Sequence, residues 1–288
     1  MRLSQTVLSA AEDCMLKAQY TVEQPTWAVR TAGSQRAVGT AYHAGLEMHY
    51  IARRDGIGLP TLDDIVARAL EVWETSKTID LYDDTPIEHF RWDDAVPDED
   101  TAREYITEMV SLYFKEGHQW PDDWTVIDVE HHAYLDDPEV GCQTKFGADL
   151  VLEAPDGGLV IVDNKTSGKK WAEGKSDPRK NVQAPFYQRL ARRLWPDRPY
   201  YRFVFDVMIY PNTKSGPRFE RIVSDPQPVH EQAMAVRART FRQLYQIRSA
   251  TGLELPPNPG STLCNPKFCD FFAGCPFGGQ IEEGVFPA

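Results

Sequence analysis

Apolar residues in the first part of the chain recur at a helical period. Leu3, Val7, Leu8, Ala11 and Met15 space one amphipathic helix over 4–20. A second helix is predicted over 35–53, stopped by Asp55-Gly56 and Gly58, and two more about 62–76 and 100–116. An acidic, proline-bearing connector at 80–98 separates that last pair. Past residue 120 the pattern changes to runs that suit strands: 124–134, 143–153 and 159–164, the last two joined by the turn Pro155-Asp156-Gly157-Gly158. A helix over 177–194, strands over 201–210 and 218–223, and a long helix over 228–249 follow, and the chain past Pro256 is rich in Gly, Pro and Cys. This order predicts an α/β fold with a mixed central β-sheet flanked by helices and an N-terminal helical region. We expect one domain over 1–288, with the helical region at 36–120, the core sheet at 121–225, and a cysteine-bearing tail at 256–288 joined to Cys14.

Composition changes this picture little. A chain of 288 residues buries enough surface to fold without staples. Polar residues thread through the first twenty positions, so no signal peptide is read there, and no run approaches the length of a membrane span. An intracellular, cytoplasmic location is expected.

Charge is more informative. The net charge of −12 speaks against a polyanionic partner, but the average hides a local bias. Between Lys165 and Arg202 lie eleven cations, among them Lys169, Lys170 and Lys175, against the three acids Glu173, Asp177 and Asp197. Such a segment is either a solvated helix face or one polyanion site on an otherwise acidic protein.

The chemistry concentrates in the hairpin. Phe146-Gly147-Ala148-Asp149 enters the turn, and the wholly apolar run Leu159–Val162 returns as Asp163-Asn164-Lys165. A turn centred near Asp156 sets Asp149 opposite Asp163, and opposed residues of an antiparallel pair share a face with Cβ atoms about 4.5–5.5 Å apart. Lys165 joins that face through the period of two. Two carboxylates so close repel unless a cation lies between them, and Mg²⁺ or Mn²⁺ suits oxygen ligands that leave room for substrate phosphates. A cation there would acidify water, with Lys165 orienting that water or stabilising the transition state. The plainer alternative is a solvent-facing hairpin, yet an aspartate ending a strand buried on both faces needs a partner. Glu130, on the preceding strand, is a further candidate that would lie near the metal or point to water, the second reading being slightly preferred.

Gly147-Ala148-Asp149, a turn, an apolar strand and Asp163-Asn164-Lys165 together resemble the core motif of PD-(D/E)XK nucleases. Gly39-Thr40-Ala41-Tyr42-His43 upstream and Gln183-Ala184-Pro185-Phe186-Tyr187 downstream are similar to the Gly-x-x-x-His and Gln-x-x-x-Tyr elements of the RecB-like branch, which includes CRISPR-associated and phage exonucleases. The resemblance runs from about His43 to Tyr187. It implies a restriction-endonuclease-like core with Asp149, Asp163 and Lys165 as catalytic residues. Its metal ligands would be His43, Asp149, Asp163 and the backbone carbonyl of Asn164, while Gln183, Tyr187, Lys169 and Lys170 would bind substrate. Pro185 is awkward inside a helix unless Gln183 stands in the first turn.

Of the five cysteines, Cys264, Cys269 and Cys275 crowd the tail, Cys14 lies in the first helix and Cys142 precedes the strand of Asp149. The positions admit buried filler, a Cys₄ zinc site or an iron–sulfur cluster. The resemblance implies a [4Fe–4S] cluster held by Cys14, Cys264, Cys269 and Cys275 and shielded by Phe268, Phe271, Phe272 and Phe277, with Zn²⁺ as the alternative; Cys142 is read as filler.

The expected activity is hydrolysis of DNA phosphodiesters, most simply as an exonuclease on single-stranded ends. Trp171, Tyr200 or Tyr201 would stack on bases, and a recombination or helicase protein would be a partner. A catalytically silent DNA-binding or assembly protein is the alternative.

Overall fold

The computed structural model describes residues 1–28, 31–81, 85–172, 174–211, 215–265 and 269–278. Glu173 and Phe268 lie outside them. Along the chain the elements are β1 (Arg2–Leu3), α1 (Gln5–Asp13), α2 (Met15–Glu23), β2 (Thr31–Gly33), α3 (Ser34–Asp55), α4 (Leu62–Ser76), β3 (Ile79–Asp80), β4 (Thr85–Pro86), β5 (His89–Arg91) and α5 (Glu99–Lys115). The second half adds β6 (Thr125–Asp137), β7 (Cys142–Glu153), β8 (Leu159–Ser167), α6 (Gln183–Leu194), β9 (Tyr201–Ile209), β10 (Arg218–Ser224) and α7 (Pro228–Thr251).

The described residues form two compact units. One gathers those of 1–30, 133–146 and 227–288; the other is Thr31–His132 with Gly147–Pro226. The main sheet is mixed, in the order β1-β7-β8-β9-β10, with β6 also paired to β7. β7 and β8 are antiparallel, β8 and β9 parallel, and β9 and β10 antiparallel. A parallel neighbour requires a crossover, which the segment holding α6 supplies.

The larger unit owes its core to two periodicities that meet. Leu150, Leu152, Val160, Val162, Val204 and Met208 alternate onto one face of the sheet, where they join Tyr42 and Tyr50 of α3, Trp73 of α4 and Tyr113 of α5. The phenols of Tyr50 and Tyr113 satisfy each other at 2.7 Å, so even the polar tips in this core are paired. α6 lies along β8 and β9, and the apolar run Leu159–Val162 is buried throughout.

Two sequence expectations are corrected. The helix expected over 4–20 is two helices, because Cys14 is extended (φ −161°, ψ 118°) and stands as the last cap of α1 and the first of α2. The helix expected from residue 177 begins only at Gln183. Residues 177–182 form turns, in which Asn181 Oδ1 accepts the N–H groups of Gln183 and Ala184. Pro185 thereby falls in the first helical turn, where its missing N–H costs nothing. By contrast Gly56 ends α3 in a left-handed conformation (φ 65°), as the breaker predicted.

In the smaller unit Leu16, Tyr20 and Phe271 form a compact apolar cluster, against which Cys14, Cys269, Cys275 and Phe277 pack. Among the described residues no helix is long and apolar enough to cross a membrane.

Candidate active site

The hairpin register places the acidic pair. Leu150 faces Val162 across the β7–β8 ladder, so Asp149 and Asp163, one step further, fall opposite each other. Asp149 Oδ2 accepts the backbone N–H of Asn164 at 2.6 Å. Lys165 Nζ lies 2.6 Å from Asp163 Oδ2, and Gln183 Nε2 donates to Asp163 Oδ1 at 2.5 Å. α6 therefore holds the second aspartate from one side while its own strand-mate holds it from the other.

His43 comes from α3, which approaches β8 closely because Gly39 lacks a Cβ. A methyl group there would sit 2.8 Å from Thr166 Oγ1. The imidazole Nδ1 is 3.7 Å from Asp149 Oδ2. Burial, and next the charge of Lys165, lower the His43 pKa to about 4, which leaves the ring neutral with a lone pair for a ligand. Gly147 has a similar reason to be glycine: a Cβ would meet His132 Nδ1 at 3.0 Å, with the Tyr187 hydroxyl 3.8 Å away.

Of the two places open to Glu130 in the sequence, the structure favours the one beside His43 and Asp149. Glu130 adopts a left-handed conformation (φ 49°) inside β6, and the alternation of the strand is broken there. Ligand atoms of His43, Glu130 and Asp149 all lie within 4.8 Å of one another. A left-handed residue inside a strand re-aims its side chain, and the carboxyl turns toward His43 and Asp149. The sequence carried a signal, since apolar Val126, Ile127 and Val129 do not keep a strict period of two, and Val126 and Val129 are both buried.

The electrostatics of the group are those of crowded anions. Burial first, then Asp149, Glu47 and Asp163, push Glu130 up to about 9. Burial pushes Asp163 up to about 6 against the pull of Lys165, and Asp149 is raised for the same first reason. Three carboxyls that resist ionising together, beside a neutral imidazole, have the donor chemistry of a hard divalent cation. The residues present fit such an ion.

Other expected substrate residues are also placed. Tyr187 is buried on α6 beside Phe203. Lys170 Nζ lies 3.4 Å from Glu220 Oε1, and the carbonyl of Lys169 accepts from Ser167 Oγ at 2.6 Å. In the smaller unit Cys14, Cys264, Cys269 and Cys275 line one pocket with Tyr20, Phe271, Phe272 and Phe277. The Cys264 thiol is pushed up by burial and then by Cys269, Cys14 and Cys275, while the backbone N–H of Asn258 points at Cys14 Sγ at 3.4 Å.

A mixed sheet whose central hairpin brings two aspartates and a lysine to one point is the arrangement of a nuclease core. The sequence profile of the PD-(D/E)XK nuclease superfamily matches residues 2–276, and the chain belongs to that superfamily. Two solved structures are similar to it at 14% identity. One is a candidate exonuclease from Eubacterium rectale, with 89% of this chain and 84% of that one covered at a TM-score of 0.45. The other is a protein designated SSO0001, with 91% and 94% covered at a TM-score of 0.34. The search of curated proteins gave no match.

Proposed function

We propose that this nuclease is a metal-dependent exonuclease of the RecB-like branch that hydrolyses DNA from single-stranded ends. The observation that carries the reading is the convergence of Asp149, Asp163 and Lys165 beside a neutral His43. Asp149, Asp163, the imidazole of His43 and the carbonyl of Asn164 would hold Mg²⁺ or Mn²⁺, and Glu130 reaches the same place. When bound, the cation supplies charge neutralisation at the phosphate and lowers the pKa of water.

The chain's own groups do the rest. Asp163, fixed by Gln183, holds the Lys165 ammonium where it can donate to a phosphate oxygen or to the attacking water. Tyr187, on the helix of Gln183, brings its hydroxyl beside Gly147. Lys169, Lys170 and their cationic neighbours contact phosphates, which gives affinity without sequence preference and suits an enzyme working in from an end. We further propose that Cys14, Cys264, Cys269 and Cys275 hold a [4Fe–4S] cluster; their common pocket and apolar cover support this, and zinc is the competing occupant. A helicase or recombination protein would be the physiological partner.

End-labelled single- and double-stranded DNA, incubated with Mg²⁺ or Mn²⁺, tests the activity. Wild type purified without oxygen should degrade the labelled strand progressively, and Lys165→Ala should slow the first cut by about 10²–10⁴-fold. Equal rates for the two proteins, or cleavage that persists in EDTA, would reject the reading.

A further inference from the structure

The loop between β8 and α6 carries a pair of side chains that the catalytic group does not explain. Trp171 rests against Phe205, with ring centroids 5.0 Å apart. Phe205 is fully buried and is the register partner of Asp163 on the neighbouring strand, so the indole is anchored beside the catalytic strand. Lys175 Nζ sits 4.3 Å from the Trp171 ring centroid. The turn that brings it back is fixed by the Lys175 N–H donating to the Ala172 carbonyl at 3.1 Å and by Gly174 at φ 80°.

This ammonium lies in cationic surroundings. Burial lowers its pKa, and Lys165 and then Lys169 lower it further. The nearby described carboxylates are engaged elsewhere: Asp177 grips Arg179 through Nε at 2.9 Å and Nη2 at 2.6 Å, and Glu220 faces Lys170. Among the described residues no carboxylate pairs with Lys175. Although Lys165 is itself paired with Asp163, like charge around Lys175 costs free energy in the free protein, and an anion placed beside Lys175 recovers it. The indole face explains how Lys175 is kept there, since a ring quadrupole attracts an ammonium without neutralising it.

We infer that Trp171 and Lys175 form a phosphate clamp, in which the indole seats the lysine and the lysine binds a backbone phosphate of the substrate strand adjoining the one that is cut. In this arrangement Trp171 acts through Lys175 as a positioning residue, and its ring, occupied by Phe205 and Lys175, does not stack on a base. The inference rests on the proposed reading that a nucleic-acid strand is the substrate.

The test is fluorescence anisotropy of a labelled single-stranded oligonucleotide, with Ca²⁺ in place of Mg²⁺, across a range of salt concentrations. Lys175→Gln should weaken binding several-fold and reduce the salt slope by about 0.7, the value for one phosphate contact on a single strand. Trp171→Leu should weaken binding to the same extent, and the double variant should be no weaker than either single one. Trp171→Phe, which keeps a ring under the ammonium, should restore most of the binding and so separates loss of the clamp from loss of folding. An unchanged salt slope in Lys175→Gln would overturn the clamp. So would additive losses with a Trp171→Leu effect that depends on base composition, since that pattern belongs to stacking. If wild type binds no oligonucleotide, the parent reading falls as well; if wild type binds and only the variant predictions fail, the clamp alone falls.

Discussion

Among the carboxyls of the metal-free site, Glu130 carries the response to pH furthest into the alkaline range. Its raised pKa means that the folded protein holds a proton there which the unfolded chain releases near 4.5, so this group costs stability as pH rises from about 4.5 to about 9. His43, lowered from 6.5 to about 4, acts with the opposite sign between those two values, and Asp163 acts with the same sign as Glu130 up to about 6. Above pH 6.5 neither offsets nor adds to it. In EDTA the melting temperature should therefore fall between pH 6.5 and 9, and Glu130→Gln should flatten that fall. A divalent cation should flatten it in the wild type too, because ligation favours the ionised carboxyl. An identical pH slope in wild type and Glu130→Gln would show that the carboxyl is not held in this environment. Mn²⁺ titrated into Asp149→Asn by calorimetry gives an independent check on the ligand set.

Elements bring these residues together through close approaches that only particular side chains permit. α3 carries His43 to the hairpin because Gly39 lets the helix lie against Thr166, whose hydroxyl accepts from Tyr210 at 3.2 Å. Gly39→Ala should cost about 1–3 kcal/mol through overpacking, seen as a lower melting temperature, and should weaken Mn²⁺ binding as His43 is displaced. Adding Thr166→Ala should recover part of the loss, since it removes the atom that a Cβ meets at 2.8 Å. Gly147→Ala should be milder, because its neighbour at 3.0 Å is the imidazole of His132, whose side chain is 41% exposed and has room to turn. No recovery on adding Thr166→Ala would place the constraint on Gly39 elsewhere. The helix boundaries were largely legible, since caps and breakers are local signals. The break at Cys14 was not, for the apolar rhythm from Leu3 to Met15 continues straight through it.

On the scale of the whole molecule, the chain divides its chemistry between two compact units. His43, Glu130, Asp149, Asp163, Lys165 and Gln183 lie in one, and Cys14, Cys264, Cys269 and Cys275 in the other. The smaller unit is assembled from three stretches distant in sequence, and Cys14 and Cys275 are 261 residues apart, so a shared cofactor would remove much unfolded-state entropy. Cys264→Ser should abolish iron and acid-labile sulfide in protein purified without oxygen. It should also speed hydrogen exchange in α2 more than in α3, while Cys142→Ser should leave both unchanged. Zinc in place of iron in the wild type would keep the four ligands and reject the cluster.

What the sequence determined by itself was whatever depends on local period, punctuation and order. The helices follow from a helical apolar period and its breakers, the mixed sheet from the order of elements, and the opposition of Asp149 and Asp163 from a two-residue period closed by a short turn. Tertiary structure decided what no period encodes. The inward aim of Glu130 depends on one left-handed residue, the fixing of Asp163 by Gln183 depends on where a helix begins, and the seating of Lys175 on Trp171 depends on a loop turning back over Phe205. Each of these places a charged group among others far away in the chain, and the free energy of doing so comes from the burial and packing of the whole fold rather than from the neighbouring sequence.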